Sequence, residues 1–198
     1  STLGWMNDGI FNMQFDIIIN SYISNRKPIL TAYNNLSKGW MLVQGTSTMS
    51  FYWCDGSASY PLALTLIPTT VGVPYRWYVK GNGTQISVQL INLITNTEAY
   101  NSGWVNCTFT SNPTMTSILS FSHYAYRTNF SIKEFKIFSD TNGTIPFLYL
   151  PFQDPNKINV DLVQGLEGNV NFVYLINQCR NALKSSNLFC EFGNQTEG

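Results

Sequence analysis

Residues 74–92 read Pro-Tyr-Arg-Trp-Tyr-Val-Lys-Gly-Asn-Gly-Thr-Gln-Ile-Ser-Val-Gln-Leu-Ile-Asn, two alternating apolar runs around a Gly-Asn-Gly turn. Trp77 and Val79 share one face of the first run. Ile86, Val88 and Leu90 share one face of the second, the period of two that a half-buried strand requires. Gly81, Asn82 and Gly83 are expected to supply the positive φ angles of a tight turn, so the stretch reads as a β-hairpin.

The same alternation extends outward in both directions. Residues 11–19 place Phe11, Met13, Phe15, Ile17 and Ile19 on one face against Asn12, Gln14 and Asp16 on the other. Further strand candidates lie at 28–33, 39–44, 47–53, 61–67, 103–109, 116–122 and 129–138. Gly, Pro, Asn or Ser clusters bound each of them, a spacing that predicts an all-β sandwich or barrel. Prolines 146, 151 and 155 make residues 146–163 an irregular connection or edge strands. Residues 170–186 show helical spacing of Phe172, Leu175, Ile176, Cys179, Ala182 and Leu183, while Val170, Phe172, Tyr174 and Ile176 also alternate as a strand would. The expected organisation is one sandwich over 1–145 with a C-terminal extension over 146–198 that packs on or continues it, carrying at most one short helix.

Composition limits the function classes. The 198 residues are enough for one large all-β domain with its own core. Only 11% are charged, against about 25% in typical domains, and 11 acidic residues balance 11 basic ones. Dispersed, balanced charge does not track a phosphate backbone, so nucleic acid is not an expected partner. Solvation falls instead to 22 Asn, 18 Ser and 18 Thr. Such a surface stays hydrated when carboxylates protonate and suits an extracellular or acidic setting. No apolar stretch approaches the roughly 20 residues of a bilayer span, so direct membrane insertion is not expected. The start at Ser1 and the end in Gly-Asn-Gln-Thr-Glu-Gly are expected to be cut points in a longer protein.

Six Asn-x-Ser/Thr sequons occur, at Asn35, Asn82, Asn106, Asn129, Asn142 and Asn194. Chance alone supplies about 4 at this composition, so position carries more information than number. Asn82 and Asn142 lie in Asn-Gly-Thr turns, where an exposed side chain is expected. The four cysteines, Cys54, Cys107, Cys179 and Cys190, contain no Cys-x-x-Cys pair. In a secreted chain they read as disulfide candidates, with buried thiols as the alternative.

Several segments, taken together, resemble the concanavalin A-like, laminin G-like jelly-roll superfamily over about residues 8–140. They are the Phe11 to Ile19 strand, Gly39 to Val43, Ser50 to Trp53, the Trp77 to Val79 and Ile86 to Asn92 hairpin, and Ile132 to Phe138. The resemblance implies two packed antiparallel sheets in an arrangement used for glycan, protein and lipid recognition and less often for hydrolysis. Fold analogy does not by itself assign an activity.

Glycoside hydrolysis needs two carboxylates flanking the scissile bond, and the hydrolases of that superfamily carry alternating acids on one strand. No such run is present, because Asp16, Asp55, Glu98, Glu134 and Asp140 stand apart in sequence. His123, the single histidine, lacks a Gly-x-Ser-x-Gly partner and reads as a packing residue. No catalytic residue and no metal site is expected. Calcium is the one cofactor entertained, at the oxygen-rich turns Asn7-Asp8-Gly9 and Asp140-Thr141-Asn142-Gly143, which plain Asx turns also explain.

Sugar recognition needs apolar ring faces and planar hydrogen-bonding groups. Trp53, Asp55 and Tyr60 at a strand-to-loop junction, with Trp104, Tyr124 and Tyr126, are the candidate ligand contacts, while Trp40 and Trp77 belong to the core. The leading expectation is a non-enzymatic extracellular or virion-surface domain recognising a cell-surface glycan or protein. The alternatives are a structural subunit of a capsid, spike, pilus or surface layer, forming homo-oligomers or a larger assembly, and a glycosidase or lyase.

Overall fold

The computed structural model describes residues 8–22, 27–33, 38–55, 62–109, 120–121, 129–150 and 190–192. They form an all-β structure of two antiparallel sheets, with no helix among the described residues. The expected helix over 170–186 lies outside them.

The larger sheet contains β1 (Ile10–Ser21), β6 (Pro74–Asn82), β7 (Gln85–Asn92), β8 (Thr97–Asn101), β9 (Val105–Asn106), β11 (Asn129–Phe138), β12 (Pro146–Leu150) and β13 (Cys190–Phe192). Its order is β12, β11, β1, β6, β7, β8. β13 lies end to end with β12 along β11, and β9 lies end to end with β8 along β7. The smaller sheet contains β2 (Lys27–Tyr33), β3 (Lys38–Gln44), β4 (Thr48–Asp55), β5 (Leu62–Pro68) and β10 (Ser120–Phe121), in the order β10, β2, β3, β4, β5.

The hairpin of 74–92 forms as β6 and β7, with Trp77 opposite Leu90 and Val79 opposite Val88. Its turn differs in detail from the expectation. Of Gly81, Asn82 and Gly83, only Gly83 takes a positive φ, at 95°. Asn82 holds the turn through its side chain, whose Oδ1 accepts from the backbone N–H groups of Thr84 (3.1 Å) and Gln85 (2.8 Å). Gly81 is required by space, since a Cβ there would overlap the Gly9 carbonyl oxygen and the Phe11 ring.

Other boundaries also shift. The strand expected at 103–109 is only Val105–Asn106, and Thr97–Asn101 forms a strand that apolar alternation does not announce, since its residues are almost all exposed. Residues 146–150 join the sheet at its edge, the outcome that Pro146 at a first strand position permits. In β5 the pairing with β4 slips by one residue between Met49 and Phe51, and Leu66 sits there at φ 59°, 74% exposed.

The alternating residues of both sheets meet in one core. Phe11, Met13, Phe15, Ile17 and Ile19 of β1 are all at most 1% exposed. They face Ile29, Leu30, Trp40, Leu42, Met49, Phe51 and Trp53 of the smaller sheet within the same cluster. Five rings stack in series across the gap between the sheets. Trp77 lies on Phe15 (5.8 Å between centroids, 10° between planes), Phe15 on Phe135 (5.8 Å, 21°), Phe135 on Trp40 (6.2 Å, 10°) and Trp40 on Phe51 (6.2 Å, 21°). Offset stacking contributes about 0.5–1.5 kcal/mol per pair beyond area burial. The buried indole N–H groups of Trp40 and Trp77 meet no acceptor, so these residues are kept for ring area and shape.

Phe15 occupies the second place in this series. Phe15→Ala is expected to cost about 3–5 kcal/mol, the range for deleting a buried aromatic ring. Phe15→Leu, which keeps most of the volume and loses the two stacked contacts, is expected to cost about 1–2 kcal/mol. Equilibrium urea denaturation of both variants checks the order.

Candidate functional site

Because β1, β6, β7 and β11 send alternate side chains into the core, the intervening ones share the outer face of the larger sheet. The pairing registers align them in rows. Tyr149 pairs with Lys136, Lys136 with Gln14, Gln14 with Tyr78, Tyr78 with Gln89 and Gln89 with Asn101. This row crosses six strands, about 24 Å at the usual inter-strand spacing. All its members are half-buried except Asn101, which is exposed. The Lys136 ammonium lies 4.8 Å from the centroid of the Tyr149 ring, and Lys80 lies 5.5 Å from that of Tyr78.

A second row runs beside it through Glu134, Asp16 and Arg76. Arg76 donates from Nε to Asp16 Oδ1 at 2.7 Å and from Nη2 to Asp16 Oδ2 at 2.8 Å. The same Nη2 reaches Glu134 Oε1 at 3.4 Å, and Glu134 Oε2 accepts from Lys136 Nζ at 2.9 Å and from the Tyr149 hydroxyl at 3.3 Å. The Asp16 side chain is 1% exposed and that of Arg76 33%. Hydrogen bonding to Asp16 holds the guanidinium proton still more tightly than usual, against the opposing effect of burial. Burial, then the charge of Glu134 and the bond to it, raises the Tyr149 hydroxyl above its ordinary value. Tyr149 therefore stays a neutral donor at physiological pH.

The sequence keeps Asp16 and Glu134 far apart, and the register sets them directly opposite each other. Chemically they are not a poised acid and base. Both oxygens of Asp16 are occupied by one guanidinium, and with Lys136 the four charges cancel. The signal in the sequence was charge at outward positions of otherwise apolar strands. Their meeting depends on strand order, which periodicity does not supply.

The residues expected to contact ligand separate. Trp53 is 4% exposed, stacked on Phe11 (5.7 Å, 14°) and met edge-on by Phe109 (5.1 Å, 68°). It belongs to the core, because alternation along β4 turns it inward with Met49 and Phe51. Trp104 is 45% exposed, between β8 and β9. Asp55 ends β4 opposite Lys38, with its side chain outside the described set. Tyr60, Tyr124, Tyr126 and His123 lie outside the described residues. Cys107 is buried in the main cluster; the backbones of Cys54 and Cys190 lie on β4 and β13, and Cys179 lies outside the described residues. Among the sequons Asn82, Asn106 and Asn142 are exposed, Asn129 opens β11, and Asn35 and Asn194 lie outside the described residues.

In the oxygen-rich turns the aspartates Asp8 and Asp140 are bonded locally, and Asn7 lies outside the described residues. Asp8 Oδ1 accepts from Ile10 N–H at 3.0 Å. Asp140 accepts from the N–H groups of Ile145 (2.6 Å) and Thr144 (2.8 Å) and from the Thr144 hydroxyl (2.9 Å). Among the described residues no three His, Cys, Asp or Glu side chains converge. No known family matches this chain, and no curated protein does either.

Arg76→Met leaves the sealed Asp16 carboxylate without its counter-charge and is expected to cost about 3 kcal/mol. Adding Asp16→Asn to the same chain is expected to recover most of that loss, as a double-mutant cycle in urea would measure. A second expectation concerns pH. Burial acts to raise the Asp140 carboxyl, but the hydrogen bonds from Ile145, Thr144 and Asn142 prevail and hold it below its ordinary value. The ionised form therefore stabilises the 140–145 loop above the ordinary carboxylate pKa, and this contribution is lost as pH falls through the lower folded-state value. Amide exchange at Thr144 and Ile145 is expected to accelerate in that acid window, and in Asp140→Asn to be fast at neutral pH as well.

Proposed function

We propose that this chain is a non-enzymatic recognition domain of an extracellular or virion surface that binds carbohydrate on the outer face of its larger sheet. The observation that carries this reading is the row of Tyr149, Lys136, Gln14, Tyr78, Gln89 and Asn101 across six strands. It supplies the two ingredients sugar binding uses, ring faces and planar amides that donate and accept together. They stand on paired strands, which position them more rigidly than loops would. In a chain with 11% charge, Asp16, Glu134, Arg76 and Lys136 neutralise one another. At the far end of the row Glu98 accepts from the Gln89 and Asn101 amides at 2.6 and 3.0 Å and adds a carboxylate that a sugar hydroxyl can meet. Trp104, exposed in the connection that follows Asn101, is a further aromatic that a longer glycan could meet.

The sealing of Asp16 and its pairing with Arg76 speak against hydrolysis on this face, since a general acid must hold a transferable proton near the substrate. The strand orders, with β1, β6, β7 and β11 central in one sheet and β2 to β5 consecutive in the other, support a concanavalin A-like jelly roll as the architecture. A structural subunit remains the second reading, favoured by the exposed apolar side chains of Leu66, Ile94 and Ile145, 74%, 68% and 57% exposed.

A glycan array probed with the full chain is expected to retain a coherent set of related glycans. Tyr78→Ala and Gln14→Ala are each expected to weaken that binding at least tenfold, about 1.4 kcal/mol, with little change in thermal midpoint. An empty array, or binding unaffected by both substitutions, would remove this face as the site. Light scattering that finds stable oligomers together with an empty array would select the structural reading.

A further inference from the structure

Three sequons that are far apart in the chain converge on one end of the larger sheet. Asn82 closes the turn between β6 and β7, Asn106 ends β9, and Asn142 lies in the loop between β11 and β12. Gln85 links the first two, accepting from Asn82 Nδ2 through Oε1 at 3.2 Å and donating from Nε2 to Asn106 Oδ1 at 3.0 Å. The third is joined to them by Thr141, whose hydroxyl donates to the Gly81 carbonyl at 2.6 Å. All three asparagines are exposed.

We infer that this end of the sandwich is an N-glycosylated pole bearing glycans at Asn82, Asn106 and Asn142. The hydrogen bonding fits the modification atom by atom. At Asn82 the carbonyl oxygen holds the turn, accepting from Thr84 and Gln85, while the amide nitrogen makes a solvent-exposed bond to the Gln85 side chain that uses one of its two protons. At Asn106 the oxygen again takes the bond from Gln85. At Asn142 the loop is fastened by Asp140 through Thr144 and Ile145 and does not draw on the asparagine side chain for those bonds.

The step takes a polyprenyl-diphosphate-linked oligosaccharide as co-reactant. The asparagine Nδ2 bonds to the anomeric carbon, the bond from that carbon to the diphosphate oxygen breaks, and the lipid diphosphate leaves with the electron pair. Nδ2 gives up one proton to a base and keeps the other. Asn82 can therefore still donate to Gln85 after modification, and none of the turn's backbone bonds is lost.

A consequence is an orientation for the molecule. Glycans at three neighbouring points keep other macromolecules from this end, so contacts with partners fall to the sheet face and the opposite end. The inference does not depend on the carbohydrate-binding reading of the sheet face, and either can fail alone.

The full chain fused to a secretory leader, translated with microsomes and also expressed in a secreting eukaryotic cell, tests it. Treatment with a glycan-removing amidase in heavy-oxygen water converts each modified Asn to a labelled Asp, read by peptide mass spectrometry. Label at 82, 106 and 142 is expected. Asn→Gln at each position, and independently Thr84→Ala, Thr108→Ala and Thr144→Ala, are each expected to remove one glycan's mass. The glycosylated chain is expected to match the thermal midpoint of the enzymatically trimmed chain within a few degrees. Label at fewer than two of the three positions, or glycans that leave the chain aggregated while the unmodified chain folds, would overturn the assignment.

Discussion

The stack of five rings from Trp77 through Phe15, Phe135 and Trp40 to Phe51 is the contact on which the rest of the structure depends. It begins on β6, crosses β1 and β11 and finishes on two strands of the smaller sheet, so it fixes the two sheets against each other. A flat ring in the middle of such a series has rings on both sides and little rotational freedom. Fixing Phe15 inward also fixes Gln14 and Asp16 outward, because successive side chains of a strand point to opposite faces. The core thus sets the composition of the outer face.

That face carries its own constraint. β1 is apolar within and mostly polar without, and two of its outward side chains are sealed, Asn12 at 1% exposed and Asp16 fully covered. A buried carboxylate is tolerated only when its desolvation is offset by charge and by hydrogen bonds to both oxygens. Arg76, on the neighbouring strand and directly opposite, supplies both. A one-residue slip of β6 against β1 would put Tyr75 or Trp77 opposite Asp16 and strand the carboxylate. The ion pair therefore reinforces the register that the apolar alternation selects.

Much of the fold was legible because periodicity reports it directly. The strand at 11–19 and the 74–92 hairpin alternate cleanly, and those at 28–33, 61–67 and 129–138 break phase at their register shifts. The sheets contain these and the strands at 39–44 and 47–53 within a few residues. β8 was not legible, since all of Thr-Glu-Ala-Tyr-Asn but Tyr100 is exposed, and the strand is held by backbone pairing to β7 and by Tyr100 against the core. Trp53 was misread because an aromatic beside Cys-Asp-Gly has the composition of a binding loop, whereas it continues the inward phase of Met49 and Phe51. The charge cluster and the amide and tyrosine row were invisible for a different reason. Each is assembled from strands that are neighbours in the sheet and distant in the chain, and strand order is set by packing that no local pattern encodes.

The end-to-end placement of β12 with β13 along β11, and of β8 with β9 along β7, bears on how this sheet meets other chains. An open sheet exposes a line of unpaired amides and carbonyls on each side, which invites strand addition and fibrous growth. Among the described residues each flank of this sheet carries two short segments with a break between them, at Ser102, Gly103 and Trp104 on one side. An incoming strand would find no single long template there, and its pairing would stop after a few residues. A protein solvated by amides and hydroxyls has little charge repulsion to keep its copies apart, and along the larger sheet the broken flanks limit strand addition through backbone geometry.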